Sequence, residues 1–348
     1  MSARSNQKHP SPPPGAASAA PLRDRQGRIA DTLRISLTDR CNLRCTYCMP
    51  VDQKFAPRSA LLDADEIGLL AEAFIARGVR RIRLSGGEPL FRRDFAAILA
   101  RLALPMAERR IDELLLTTNG MALDRHAAAL AAAGVRRLNV SLDSLDPARF
   151  AAITRGGDLA AVLRGLDAAA TVCLSVRLNM VAMAGTNGGD LIPLVRFAAE
   201  RGFDLALIEA MPLGAKGGGA GHVPLDRFVQ PLRDAGETLV PIAHRTSGPA
   251  RYVRVEPLGL RLGLITPMSR NFCDACTRLR VSAEGQLMPC LGAETAVDLR
   301  AALRSGDAAA LDLAMDAALA LKPDRHDFEA QAAGSVPRLA RHMNRTGG

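Results

Sequence analysis

The chain has no tryptophan and only two tyrosines among its 348 residues, with ten phenylalanines. The aromatic platforms on which single-stranded nucleic acid stacks are therefore scarce, even though the formal net charge is +9. That charge comes mostly from arginines, scattered singly or in pairs such as Arg80 with Arg81, Arg92 with Arg93 and Arg136 with Arg137. A solvated basic surface accounts for part of it, and a polyanionic small molecule is a better expectation than nucleic acid for the rest. No uninterrupted apolar run of about 18 residues occurs, and residues 1–20 lack the apolar centre of a signal peptide. The expectation is a cytoplasmic protein with no membrane partner.

Histidine is absent near every cysteine, and a fourth cysteine is absent from each group. Six of the seven cysteines fall into two sets, Cys41, Cys45, Cys48 and Cys273, Cys276, Cys290. In a reducing compartment such grouping argues for metal rather than disulfides. The remaining Cys173, just before the apolar run "LSVRLNMV", is expected to be a buried small hydrophobe.

Residues 1–28 are rich in Pro, Ser, Ala and charge without periodicity, which predicts a disordered leader. Short β-type runs then alternate with helical stretches: 33–37, 81–85, 113–118, 136–142, 174–183 and 204–211, with a helical pattern at 63–77. Six βα repeats are too few for a closed eight-fold barrel, and no early strand carries a G-x-G-x-x-G turn, so the expected fold class is α/β, an incomplete (β/α)6 barrel over 29–234. Polar features follow the strands ("TDRCNLRC", "GGEP", "NG", "DSLD"), at the ends where such barrels carry their sites. A glycine-rich piece at 214–222 lacks the G-K-[ST] ending of a phosphate loop and reads as a flexible connection. Residues 235–348 are expected to form a second unit around the second cysteine set.

Three thiolates leave structural zinc one ligand short, whereas on a [4Fe-4S] cubane they leave one iron open for chemistry. "CNLRCTYC" has C-x3-C-x2-C spacing, unlike the C-x2-C-x2-C run of electron-transfer ferredoxins. It resembles the signature of the radical S-adenosylmethionine superfamily, in which the open iron binds the cofactor and an electron cleaves it to a 5′-deoxyadenosyl radical. "SGGEP" at 85–89 is similar to that superfamily's site for the methionine amino group, with Glu88 as acceptor. The second set, C-x2-C-x13-C, predicts a second cluster with its own open iron. Between its cysteines, Arg278 and Arg280 would share one face of an extended segment and suit phosphate.

From about residue 22 onward the chain resembles the GTP 3′,8-cyclase family of molybdenum cofactor biosynthesis, on "RRIRLSGGEPLFRRDF", "LLLTTNG", "RRLNVSLDSLD", "LIEAMPLG", "GLITPMSRNFCDACTRLRVSAEGQLMPCLG" and Gly347-Gly348. The resemblance implies hydrogen abstraction from C3′ of GTP and closure onto C8, with the second cluster binding guanine. It assigns Tyr47, Gly87, Ser141 and Met211 to S-adenosylmethionine. Arg34, Arg83, Thr117, Arg177 and the stretch Arg278, Leu279, Arg280 go to GTP. Arg177 stands where the family typically has lysine; it keeps the charge but not the compact ammonium. The resemblance also places Gly347 and Gly348 in the active site. It implies an external electron donor, a downstream cyclic pyranopterin monophosphate synthase and a homodimer. Two rivals fit less well: other two-cluster radical enzymes use more cysteines, and a zinc protein binding nucleic acid would carry histidine near its cysteines.

Overall fold

The structure is a computed structural model that describes residues 20–213, 221–326, 328, 339 and 341–347. The expected strands form as β1 (Thr32–Ser36), β2 (Arg81–Ser85), β3 (Glu113–Thr118), β4 (Arg137–Ser141), β5 (Ser175–Ala182) and β6 (Asp204–Glu209), parallel and in that order. Alternation decides which way each side chain faces. Leu33 and Ile35, Ile82 and Leu84, Leu138 and Val140, Leu178 and Met180 enter the hydrophobic core. The residues between them face inward. Helices such as α1 (Ala64–Ala76) and α2 (Phe95–Ala107) complete the βα repeats, and α1 opens on a capping box between Asp63 and Glu66.

Strands from the second half of the chain extend this same sheet. β9 (Leu260–Ile265) lies parallel to β6, and β10 (Arg278–Val281) lies parallel to β1 at the opposite flank. β8 (Arg251–Glu256) and β7 (Thr238–Ile242) continue antiparallel beyond β9, and β11 (Gln286–Met288) and β12 (Val297–Asp298) beyond β10. Among the described residues the twelve-stranded order ends on β12 and β7, which do not pair, so the barrel stays open.

Two expectations are corrected. Residues 20–28 belong to the fold: Leu22 is fully buried, its N–H donates to the Arg77 carbonyl at 3.1 Å, and Asp24 forms a 2.6 Å ion pair with Arg28. One apolar residue and one charge pair anchor a segment whose composition reads as disordered. Cys173 is exposed, not buried, because it occupies the turn after the helix Leu159–Thr171 with φ of 57°. Most of the glycine-rich piece, 214–220, lies outside the described residues.

Candidate active site

The inward side chains converge on one cavity. Parallel register sets Arg280, Arg34 and Arg83 side by side across β10, β1 and β2. Asn139 on β4 stands between Thr117 on β3 and Arg177 on β5. Arg278 joins them at the β10 end. Among the described residues, no ion pair involves Arg83, Arg177, Arg278 or Arg280. Burial, then the charges of Arg177 and Arg137, push Arg83 down to about 9. Burial and Arg278 push Arg280 down to about 10. Arg34 is held well below the usual arginine range by burial, then by Arg280 and Arg83. Guanidiniums crowded to this degree favour an anion among them. Leu279, by contrast, is fully buried in the core on the outer face, so of the Arg278-Leu279-Arg280 stretch only the arginines present side chains.

Gly87, Ser141 and Met211 line the cavity, as do Cys41, Cys45, Tyr47 and Cys48 on the loop after β1. The glycines of "SGGEP" are required by that loop. Gly87 N–H donates to the Thr38 carbonyl at 2.6 Å, and a Cβ on Gly87 would lie 2.1 Å from the Arg40 carbonyl oxygen. Glu88 departs from expectation: it is fully buried and absent from the cavity lining. Its carboxylate accepts from Thr118 Oγ1 at 2.7 Å, Leu90 N at 3.1 Å and Asn119 N at 2.6 Å. It thereby ties the loop after β3 to the turn after β2. Burial pushes the Cys41 thiol up to about 11 and Cys48 up to about 12, with Glu88 and the neighbouring thiols adding to it. Cys45 rises for the same reasons, with Asp143 contributing, while Tyr47 Oη donates to Asp143 at 2.9 Å.

Cys273, Cys276 and Cys290 line the opposite side of the cavity. Here cations surround the thiols. Burial raises Cys276, but Arg278 and Lys322 outweigh it and bring the thiol down to about 7. Lys322 Nζ donates to the Cys276 carbonyl at 3.0 Å, and Arg28 Nη1 to the Cys273 carbonyl at 2.9 Å. Asp24 joins the two cations, 2.6 Å from Arg28 and 3.6 Å from Lys322. The described residues contain no group of His, Cys, Asp or Glu close enough to hold a single ion. Thiolates around a cubane stand further apart, one per iron, and each set supplies three to the same cavity, so the donor sets fit two clusters.

A short helix, Met343–Thr346, brings the tail inward. Gly347 O accepts from Arg280 Nη1 at 2.6 Å and Arg34 Nη1 at 2.9 Å. With φ of 74°, its Cβ would sit 2.3 Å from Ser85 Oγ, so any other residue there would be strained and crowded. Fully buried Asn344 donates to the Asp39 carbonyl at 2.9 Å, and Met343 N–H reaches the Cys48 carbonyl at 3.3 Å. Gly348 lies outside the described residues.

Comparison with known proteins agrees with this geometry. The Radical SAM superfamily model matches residues 35–198, and the Molybdenum Cofactor Synthesis C model matches 203–328. A GTP 3′,8-cyclase of Rhodopseudomonas palustris is 49% identical over 331 residues, 94% of this chain and 96% of its own length. The chain belongs to the GTP 3′,8-cyclase family. A GTP 3′,8-cyclase of Caulobacter vibrioides is 47% identical over 97% of this chain and 98% of its own. Streptococcus suis SuiB bound to S-adenosylmethionine shares the fold, with a TM-score of 0.63 at 15% identity over 92% of this chain and 78% of that one.

As a member of this family the chain is a radical enzyme that uses S-adenosylmethionine and [4Fe-4S] clusters. Sequence reasoning missed Asn139, Asn179, Tyr252, Lys322 and Asp143, all at or beside the cavity. The signal for the first two was present: in "LNVSL" and "VRLNMV" polar residues alternate with core residues, and on a barrel strand the polar face turns inward.

Proposed function

We propose that the protein converts GTP to (8S)-3′,8-cyclo-7,8-dihydroguanosine 5′-triphosphate, the first step of molybdenum cofactor biosynthesis. The observation that carries this is the gathering of Arg34, Arg83, Arg177, Arg278 and Arg280 between two three-thiol sets in one cavity. Planar guanidinium forks suit the oxygens of a triphosphate. Cys41, Cys45 and Cys48 hold one [4Fe-4S] cluster, and Cys273, Cys276 and Cys290 hold the other. When bound, the first cluster with S-adenosylmethionine supplies a 5′-deoxyadenosyl radical able to take the hydrogen from C3′ of GTP. Tyr47, Gly87, Ser141 and Met211 seat S-adenosylmethionine, and Glu88 supports that seat from beneath through the loop after β3.

Arg34, Arg83, Thr117 and Arg177 orient GTP together with Arg278 and Arg280, Leu279 contributing backbone only, and the second cysteine set faces the guanine. Fixing C3′ near C8 is a matter of orientation, and binding energy from the remote phosphates supplies it. Gly347 holds the arginine row in place, and the Gly347-Gly348 tail is needed for turnover. The work divides between a barrel at 29–234 and a segment at 235–348 that brings the second cluster. The enzyme works in the cytoplasm as a homodimer, takes electrons from an external donor, and passes its product to a cyclic pyranopterin monophosphate synthase.

Anaerobic incubation with GTP, S-adenosylmethionine and dithionite tests the reading. Both 5′-deoxyadenosine and cyclised GTP are expected, with about eight irons per chain. If 5′-deoxyadenosine forms without cyclised GTP, the substrate assignment falls while the radical chemistry stands.

A further inference from the structure

Outside the cavity, arginines of this protein meet carboxylates. Arg81 lies 2.6 Å from Asp31 and 3.5 Å from Glu113, and Arg77 reaches Asp312 at 3.0 Å and Asp316 at 2.6 Å. For Arg83 and Arg177, inside it, the hydrogen-bond partners are neutral. Arg83 Nη1 and Arg177 Nη2 converge on the amide oxygen of Asn139 at 3.1 and 2.7 Å, with the amide turned as two donors require. Arg177 Nη1 donates to the Tyr252 hydroxyl at 3.0 Å. Asn139 and Tyr252 are each 3% exposed, so these contacts are shielded from water.

An amide oxygen has the lone pairs to order two guanidiniums but carries no charge. A carboxylate at the same place would bind both more strongly and cancel part of their charge. Buried arginines left in mutual repulsion are a cost to the fold, the kind of local conflict that marks functional sites. We propose that Asn139 is a positioning residue that holds Arg83 and Arg177 together while leaving both charges available to the substrate's polyphosphate. The neutrality of Asn139, and not only its hydrogen bonds, then sets substrate affinity. This rests on the reading of GTP as substrate, and the experiment separates the two.

The test compares wild type with Asn139→Asp and Asn139→Ala, each reconstituted with iron and sulfide. Calorimetric titration measures binding of GTP, guanosine and inorganic triphosphate, and thermal unfolding is followed without ligand. Asn139→Asp is expected to melt above wild type yet bind GTP about a hundredfold more weakly, with guanosine unaffected. Asn139→Ala is expected to melt below wild type and bind GTP only about tenfold more weakly. A merely structural residue would give the opposite order, with the alanine variant the poorer binder. That order, or wild-type GTP affinity in Asn139→Asp, overturns the inference. Wild-type enzyme that binds triphosphate but not GTP overturns the substrate reading and leaves the charge argument standing; binding neither overturns both.

Discussion

Around Cys41, Cys45 and Cys48 the added charges are mostly negative, from Glu88, Asp143 and the thiols themselves. Around Cys273, Cys276 and Cys290 they include Arg28, Arg278, Arg280 and Lys322. Cys276 is therefore readier to be a thiolate than any cysteine of the first set. The first set needs the charge of bound metal to hold its sulfurs ionised, whereas in the second the cations bring Cys276 down to about 7 while burial keeps Cys273 and Cys290 raised. The first set sits on a loop braced by glycine contacts; the second is tied by Lys322 and Arg28 to distant parts of the chain.

Removing one thiol from each set breaks the comparison most severely. Cys45→Ala is expected to lower iron from about eight to about four per chain and to stop 5′-deoxyadenosine formation. Cys276→Ala should lose the same iron, keep cleavage of S-adenosylmethionine and fail to give cyclised GTP. Iron analysis with product quantification checks this, and equal loss of 5′-deoxyadenosine in both would erase the functional distinction. Next in size is removal of Gly347 and Gly348. Cyclised product should fall about a hundredfold, with iron content unchanged; full cyclase activity in the shortened enzyme would sink the role given to the tail.

A gentler measurement sharpens the contrast. In iron-free, reduced protein at pH 8, mass-spectrometric mapping of iodoacetamide labelling should find Cys276 modified at least about tenfold faster than Cys41 or Cys48. Similar rates would contradict the charge difference. The smallest effect concerns Glu88, whose carboxyl burial raises from 4.5 to about 7. Its folded-state pKa lies above the unfolded one, so its contribution is complete below pH 4.5 and is lost as the pH rises through 7. The loss is on the order of 3 kcal/mol. Unfolding curves of iron-free Glu88→Gln should lack that slope relative to wild type, and parallel curves would refute it.

The six barrel strands and both cysteine sets were legible because alternation and spacing are local signals. The matching of Arg34 to Arg83 and Arg280 was less so, since register depends on strands up to 246 positions apart in numbering. Arg278 and Arg280 did share the predicted face, and the same alternation that put them there sent Leu279 to the core. Glu88 misled because a motif names a residue type without saying where its oxygens go; here they are taken by Thr118, Leu90 and Asn119. Leu22 and Asp24 were hidden by a polar, proline-containing context, and Lys322 by the absence of any pattern linking it to Cys276.

The bond from Arg34 to Gly347 joins positions 313 apart. At about 5–20 residues per second, the ribosome delivers the second partner on the order of tens of seconds after the first. Throughout that interval the nascent sheet can collapse while the loop bearing Cys48 stays uncovered, because Met343 and Asn344, which later rest on it, have not been made. The cover over that loop is thus a late contact, ordered in time by where Met343 and Asn344 stand along the gene.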